Sequence, residues 1–130
     1  MNYHDHPALA LFSELLAIPA PSSREQRIAA LVRQKVAALG YTPQQDGAGN
    51  LWVRLAGRDE AAPLVCYAAH LDEIGLAVHA IEPDGRLRVG RSGGLFAWKL
   101  GEAPVEILGD HATVTGVLSM GAGHGAGDQA

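Results

Sequence analysis

Cysteine is nearly absent. Cys66 is the one thiol in 130 residues, so no internal disulfide can form, and its place inside an apolar run makes it a small packed hydrophobe. Such usage fits a reducing compartment. Basic runs are missing too. Ten Lys and Arg are scattered against fourteen Asp and Glu, for a net charge of −4, which leaves no electrostatic footprint for nucleic acid or an anionic membrane surface. No apolar stretch approaches the ~20 residues of a spanning helix. The first residues, MNYHDHPALALF, lack the basic-then-apolar order of a secretory signal. Aromatics make up 5% of the chain, and Trp52, Phe96 and Trp98 are too dispersed to form a stacking platform. A cytoplasmic protein with no nucleic-acid and no membrane partner is the expectation.

What is present is ordinary for a globular chain: 48% hydrophobic and 18% charged residues, long enough for one domain with a real core. Leu11, Leu15 and Ile18, widened by Phe12 and Leu16, predict a first helix over Pro7 to Ala17, stopped before Pro19. Ser22 with Glu25 three positions on matches a capping box. The stripe Ile28, Leu31, Val32, Val36 and Leu39 then predicts a second helix, with Gly40 suited to the left-handed position after its end. Pro43 confines Thr42 to Asp46 to a short edge strand. Gly47 to Gly49 reads as a turn and Asn50 to Ala56 as an alternating strand.

The chain is organised around Leu64 to Leu76, LVCYAAHLDEIGL. Its apolar run predicts a buried central strand over Leu64 to Ala69, of the kind found in parallel or mixed sheets covered on both faces. Ligands in open α/β sheets bind just beyond the carboxyl ends of strands, and His70, Asp72 and Glu73 stand at such an end. After Gly75 the texture changes to strands and tight turns. Leu76 to Ile81 and Leu87 to Val89 flank the hairpin signal Asp84-Gly85. Arg91 to Gly94 reads as a loop, and Val105 to Leu108 and Thr113 to Ser119 as further strands. No helix is expected after Glu73. From Gly121 the chain is glycine-rich and without periodicity.

Residues i and i+2 of an extended segment point to the same side, so Asp72 can stand beside the His70 imidazole. A carboxylate in that place orients a metal-ligating ring and raises its basicity. Spacing alone also permits two polar residues at an exposed strand end. Glu73 can serve the rim of a site or simply open the next strand. The His4-Asp5-His6 cluster reads as a solvated end with Asp5 near a helix start. His79 reads as a strand-surface residue, His111 as a turn residue, and His124 as part of the glycine-rich end. Gly90-x-x-Gly93-Gly94 opens no helix and is a plain turn rather than a phosphate cradle. Ser22, Ser23 and Ser119 lack the G-x-S-x-G setting of a hydrolase nucleophile.

Five pieces in order, Ile18-Pro19-Ala20-Pro21-Ser22 with Glu25, Gly49-Asn50-Leu51, Ala69-His70-Leu71-Asp72-Glu73-Ile74-Gly75, Gly93-Gly94 and Thr115-Gly116-Val117-Leu118, carry a resemblance across roughly the whole chain. The sequence resembles the amino-terminal part of the tetrahedral aminopeptidase family, dinuclear-metal peptidases that include bacterial glutamyl aminopeptidase and the cellulase M-like homologues. The AHLDEIG piece is the specific one.

That resemblance implies an α/β fold. Residues 1–73 would be the amino-terminal part of a mixed-sheet peptidase catalytic domain. Residues 74–130 would begin an inserted, barrel-like β-rich dimerisation domain that this chain does not complete. It implies His70 as a metal ligand and Asp72 as the group that supports the metal site, with two divalent ions, zinc or cobalt, in the complete enzyme. Peptides are the implied substrate, cut at their N-terminal residue by metal-activated water, and a homo-oligomer is implied through the inserted domain. The family's catalytic glutamate pair and other ligands would lie beyond this chain. One histidine cannot hold a hydrolytic metal, which needs about three protein ligands, so the chain alone is expected to be inactive and to expose apolar surface. Two other readings stand beside this one: a noncatalytic β-rich dimerisation module, and a fragment of a related di-metal amidohydrolase or deacylase.

Overall fold

The computed structural model describes residues 6–119, with the side chains of Ala97 and Trp98 excepted. The expectations placed on His4, Asp5, His124, the Trp98 side chain and the glycine-rich end lie outside the described residues. The chain divides into two compact units between Gly93 and Gly94.

In the first unit, helix α1 spans Pro7–Leu16 and helix α2 spans Gln26–Ala38. Pro7 occupies the first helical position, where its missing N–H costs nothing, and the His6 ring caps the helix by accepting from the Ala8 amide at 3.3 Å. Ile28 and Ala29 of α2 are buried, and Lys35 pairs with Glu14 of α1. Gly40, with φ of 85°, ends α2 in the left-handed conformation that its residue type permits.

The start of α2 differs from the capping box read in the sequence. Glu25 is the residue at the cap, and its side chain makes no cap hydrogen bond. Ser22 is instead the second residue of a turn closed by the Arg24 amide donating to the Pro21 carbonyl at 2.9 Å. Ser23 has φ of 72°, which makes the turn type II. A serine in that conformation carries backbone strain; its N–H is satisfied by Glu25 Oε1 at 2.7 Å.

Strands β1, Gln44–Gln45, and β2, Leu51–Trp52, form a small antiparallel pair. The second is much shorter than the alternation over Asn50 to Ala56 predicts. Asp46 organises the turn between them. Its carboxylate accepts from the Ala48 and Asn50 amides and from the Asn50 side chain at 2.8–3.0 Å. Strand β3, Gly75–Ile81, pairs antiparallel with β4, Leu87–Ser92, across the expected Asp84-Gly85 turn. Arg91 and Ser92 belong to β4 rather than to a loop. The register shifts between Val78 and Ala80, so exposed His79 is the bulged residue of β3.

Residues 64–69 are the main departure from expectation. They form no strand, and every one of them is exposed. Leu64 is 76%, Val65 71% and Tyr67 95% exposed, and Cys66 is an exposed thiol rather than a packed one. The physical reason is pairing. A central strand exists only with neighbours on both edges and layers on both faces. Among the described residues every sheet is a two-stranded antiparallel pair, and none pairs with this segment.

The second unit contains a single helical turn, α3, Ala97–Leu100, where no helix was expected. Strands β5, Ala103–Leu108, and β6, Thr113–Leu118, then pair antiparallel in continuous register. His111 is exposed in the connection, which the Gly109 amide closes on the Ala112 carbonyl at 3.0 Å. Leu95 is buried in this unit. The fold as a whole therefore combines helices with small antiparallel sheets.

The hydrogen bonds to Asp46, led by that from the Asn50 side chain, hold its carboxyl below the ordinary value. A depressed carboxylate stabilises the folded turn above the unfolded value and loses that contribution as pH falls through the folded one. We predict that the Ala48 and Asn50 amide resonances titrate together with a midpoint below 3.8, the ordinary value, and that Asp46→Ala abolishes this transition. An NMR pH titration checks both.

Candidate functional site

The site is assembled where the loop after α1 lies along the segment entering β3. Ala20 is 1% exposed, which is unusual for a loop residue flanked by two prolines. Its neighbour across the gap is Glu73. The Glu73 amide donates to the Ala20 carbonyl at 2.9 Å, and the Ala20 amide donates back to Glu73 Oε1 at 2.9 Å. Pro21 and Glu73 form a single parallel bridge. Gly75 sits directly beneath Pro21; a Cβ there would stand 3.1 Å from the proline Cβ, tighter than ordinary packing. Proline has no amide to lose, so the segment PAP can lie against a partner with only the Ala20 N–H to satisfy.

Between these anchors stand His70 and Asp72. His70 Nδ1 lies 2.8 Å from the Asp72 carbonyl and 3.1 Å from Asp72 Oδ1. Both partners are acceptors, so Nδ1 carries the proton, and in the neutral ring Nε2 is left with its lone pair bare. The His70 side chain is 85% exposed, so Nε2 is reachable from solvent. The other carboxylate oxygen, Asp72 Oδ2, accepts from the Ser22 hydroxyl at 2.6 Å. This short bond, and after it the His70 ring, hold the Asp72 carboxyl below its ordinary value.

A groove of about 270 Å³ opens beside this pair. Phe12, Leu15 and Leu16 of α1 and Ile28 of α2 give it an apolar wall, and His70, Asp72 and Glu73 give it a polar edge. Two residues singled out in the sequence, His70 and Asp72, are thus brought together. Glu73 is a fastener that ties the loop down through its backbone and side chain. Ser22 was read as a helix cap and belongs to the site instead. The signal that could have found these roles is the spacing of two short polar motifs about fifty residues apart, which shows nothing until the chain folds.

An imidazole with Nδ1–H engaged and Nε2 bare is the form a metal ligand takes. Among the described residues no group of three or more His, Cys, Asp or Glu side chains could hold a metal ion. His70 and Asp72 fit one ligand position with its supporting carboxylate.

Comparison with known proteins gives the family. The profile of the family described as M42 glutamyl aminopeptidase matches residues 49–130, more than half of the chain and including the AHLDEIG segment. The chain belongs to the M42 glutamyl aminopeptidase family. It is 39% identical over 80 residues to a glutamyl aminopeptidase from Lactococcus lactis subsp. cremoris (strain MG1363), covering 62% of this chain and 22% of that protein. A succinyl-diaminopimelate desuccinylase from Azoarcus sp. (strain BH72) is 34% identical over 77 residues, 57% of this chain and 20% of that protein. The Escherichia coli (strain K12) protein SgcX, whose name marks it as a candidate aminopeptidase, is 32% identical over 120 residues, 92% of this chain and 32% of that protein. The M42 chain therefore spans between a fifth and a third of the length of these curated relatives. No helix among the described residues is long and apolar enough to cross a membrane.

Because Glu73 supplies the acceptor for a part-buried amide, Glu73→Ala should cost about 1–3 kcal/mol through the unsatisfied Ala20 N–H. Glu73→Gln keeps an acceptor oxygen and should retain most of the stability. Amide hydrogen exchange at Ala20 is the measurement: exchange as slow in Glu73→Ala as in the wild type would show that the clamp does not hold the loop.

Proposed function

We propose that this M42 chain is the amino-terminal portion of a cytoplasmic metal-dependent aminopeptidase that removes N-terminal residues from peptides, with His70 as one metal ligand and Asp72 as its support. The observation that carries the reading is the His70 ring itself, held with Nδ1 on Asp72 and Nε2 open beside an apolar groove, inside the segment that matches the family. Two divalent ions, zinc or cobalt, would serve the complete enzyme; when bound they lower the pKa of water and polarise the scissile carbonyl. Everything else described here is the work of this chain's own residues. Asp72 keeps the imidazole proton on Nδ1, so that the Nε2 lone pair is available without first shedding a proton. The Ala20–Glu73 clamp fixes the position of both.

We propose further that residues 1–73 form the start of a mixed-sheet catalytic domain and that residues 74–130 begin an inserted β-rich, barrel-like domain through which the complete enzyme forms homo-oligomers. The succession of antiparallel hairpins after Glu73 supports this division. In that setting residues 64–69 would be the central strand that their composition demands. The chain alone would be inactive, because one imidazole falls short of the three ligands a hydrolytic metal needs.

In the complete peptidase, His70→Ala should remove one metal equivalent and lower kcat/KM by at least about 100-fold, with a smaller loss of about 10–100-fold for Asp72→Ala. Elemental analysis and turnover of aminoacyl nitroanilides test this. Full metal content in His70→Ala would sink the ligand assignment, and robust turnover by the 130-residue chain would sink its inactivity.

A second reading, hydrolysis of an N-acyl amide by a related di-metal deacylase, is favoured by one specific observation: the 34% identity to a protein named as a desuccinylase. Peptide and N-succinyl amide substrates offered side by side to the complete enzyme separate the two readings.

A further inference from the structure

We infer that Ser22 is a positioning residue for His70, acting through Asp72. The Ser22 hydroxyl donates to Asp72 Oδ2 at 2.6 Å, while Oδ1 of the same carboxylate faces His70 Nδ1 at 3.1 Å. A carboxylate has two faces to offer and can turn about its side-chain torsions. Exposed pairs of this kind, left alone, contribute little because both side chains must be held in one geometry. Here the geometry is held from the far side. Ser22 occupies the corner of the type II turn closed by Arg24 and Pro21, and that turn is pinned one residue earlier by the reciprocal Ala20–Glu73 hydrogen bonds. The serine proton has one short, charge-assisted acceptor, and taking it fixes which oxygen remains for the imidazole. The consequence falls on the ring: the carboxylate oxygen joins the Asp72 carbonyl, 2.8 Å from the same nitrogen, in holding the proton on Nδ1, and the Nε2 lone pair faces outward.

The metal consequence rests on the ligand reading given above, whereas the orientation of the ring does not. Neither motif contains this role by itself. The serine comes from the loop after α1, fifty residues before the aspartate.

The test is tautomer-resolved NMR on the 130-residue chain, using two-bond nitrogen–proton correlations of the His70 ring at alkaline pH. The wild type and Ser22→Thr, which keeps a hydroxyl, should both show a protonated Nδ1 and a bare Nε2. Ser22→Ala should shift the ring toward the other tautomer by at least about twofold in population. The Ala20 and Glu73 amide resonances report whether the loop is still clamped. Should Ser22→Ala disturb them, Ser22→Val against Ser22→Thr, equal in shape and different in the hydroxyl, decides in the same way. An unchanged tautomer ratio on loss of the hydroxyl overturns the inference, as does a changed ratio in Ser22→Thr. Metal content in His70→Ala stands apart from this readout: if it is unchanged while the tautomer responds to Ser22, the ligand reading fails and the positioning role stands.

Discussion

The reciprocal hydrogen bonds between Ala20 and Glu73 are the constraint on which the rest of the site depends. They join segments more than fifty residues apart at a point where neither belongs to a regular element. Two prolines flank the contact, so the loop loses little conformational entropy when it docks, and Gly75 allows it to come close. Once Ala20 is fixed, Ser22 has only one corner to occupy, and its hydroxyl meets Asp72. The orientation of His70 follows from that. Remove the clamp and each remaining contact becomes an exposed, individually weak interaction between flexible side chains.

The clamp also explains why this part of the chain is ordered while residues 64–69, immediately before it, have no partner strand. A hydrogen-bonded loop needs only two segments to complete it. A central strand needs four surroundings, two edges and two faces. Burying Leu64 and Val65 fully would be worth about 1.5–3 kcal/mol each, and in the described fold that gain is not collected. The same imbalance marks the helices. Phe12 and Leu16 of α1 are exposed along the groove, so the apolar stripe that defines the helix in the sequence is only partly used.

Local patterns were legible and pairings at a distance were not. The stripes of α1 and α2, the glycine after α2, the Asp84-Gly85 hairpin and the strands β5 and β6 depend on neighbours within a few residues, and each lies where its pattern predicts. At Ser22 the sequence predicts a helix cap where a turn forms, because a capping box and a type II turn draw on the same residue types. In the fold the Ser22 hydroxyl is taken by the Asp72 carboxylate, supplied from elsewhere. Cys66 and its apolar neighbours predict a core strand and are exposed, because composition records what a segment prefers, while exposure depends on what is packed against it. The short turn α3 has no apolar periodicity to announce it.

At the site itself, His70 and Asp72 were legible because their contact is local: i and i+2 on an extended segment meet whatever the rest of the fold does. Glu73 and Ser22 were hidden because their roles are non-local. This division has a chemical counterpart. A tautomer can be set by the one residue that holds the ring nitrogen, Asp72, and a second, Ser22, that steadies it, all within one compact unit. A metal site of three or more ligands draws its donors from several strands and requires the sheet that carries them. On the proposed reading of His70 as a ligand, its orientation would precede assembly of the site, so that less ordering would remain for a metal to impose. Preorganisation of that kind places the cost of fixing His70 on the folding of the loop rather than on the binding step.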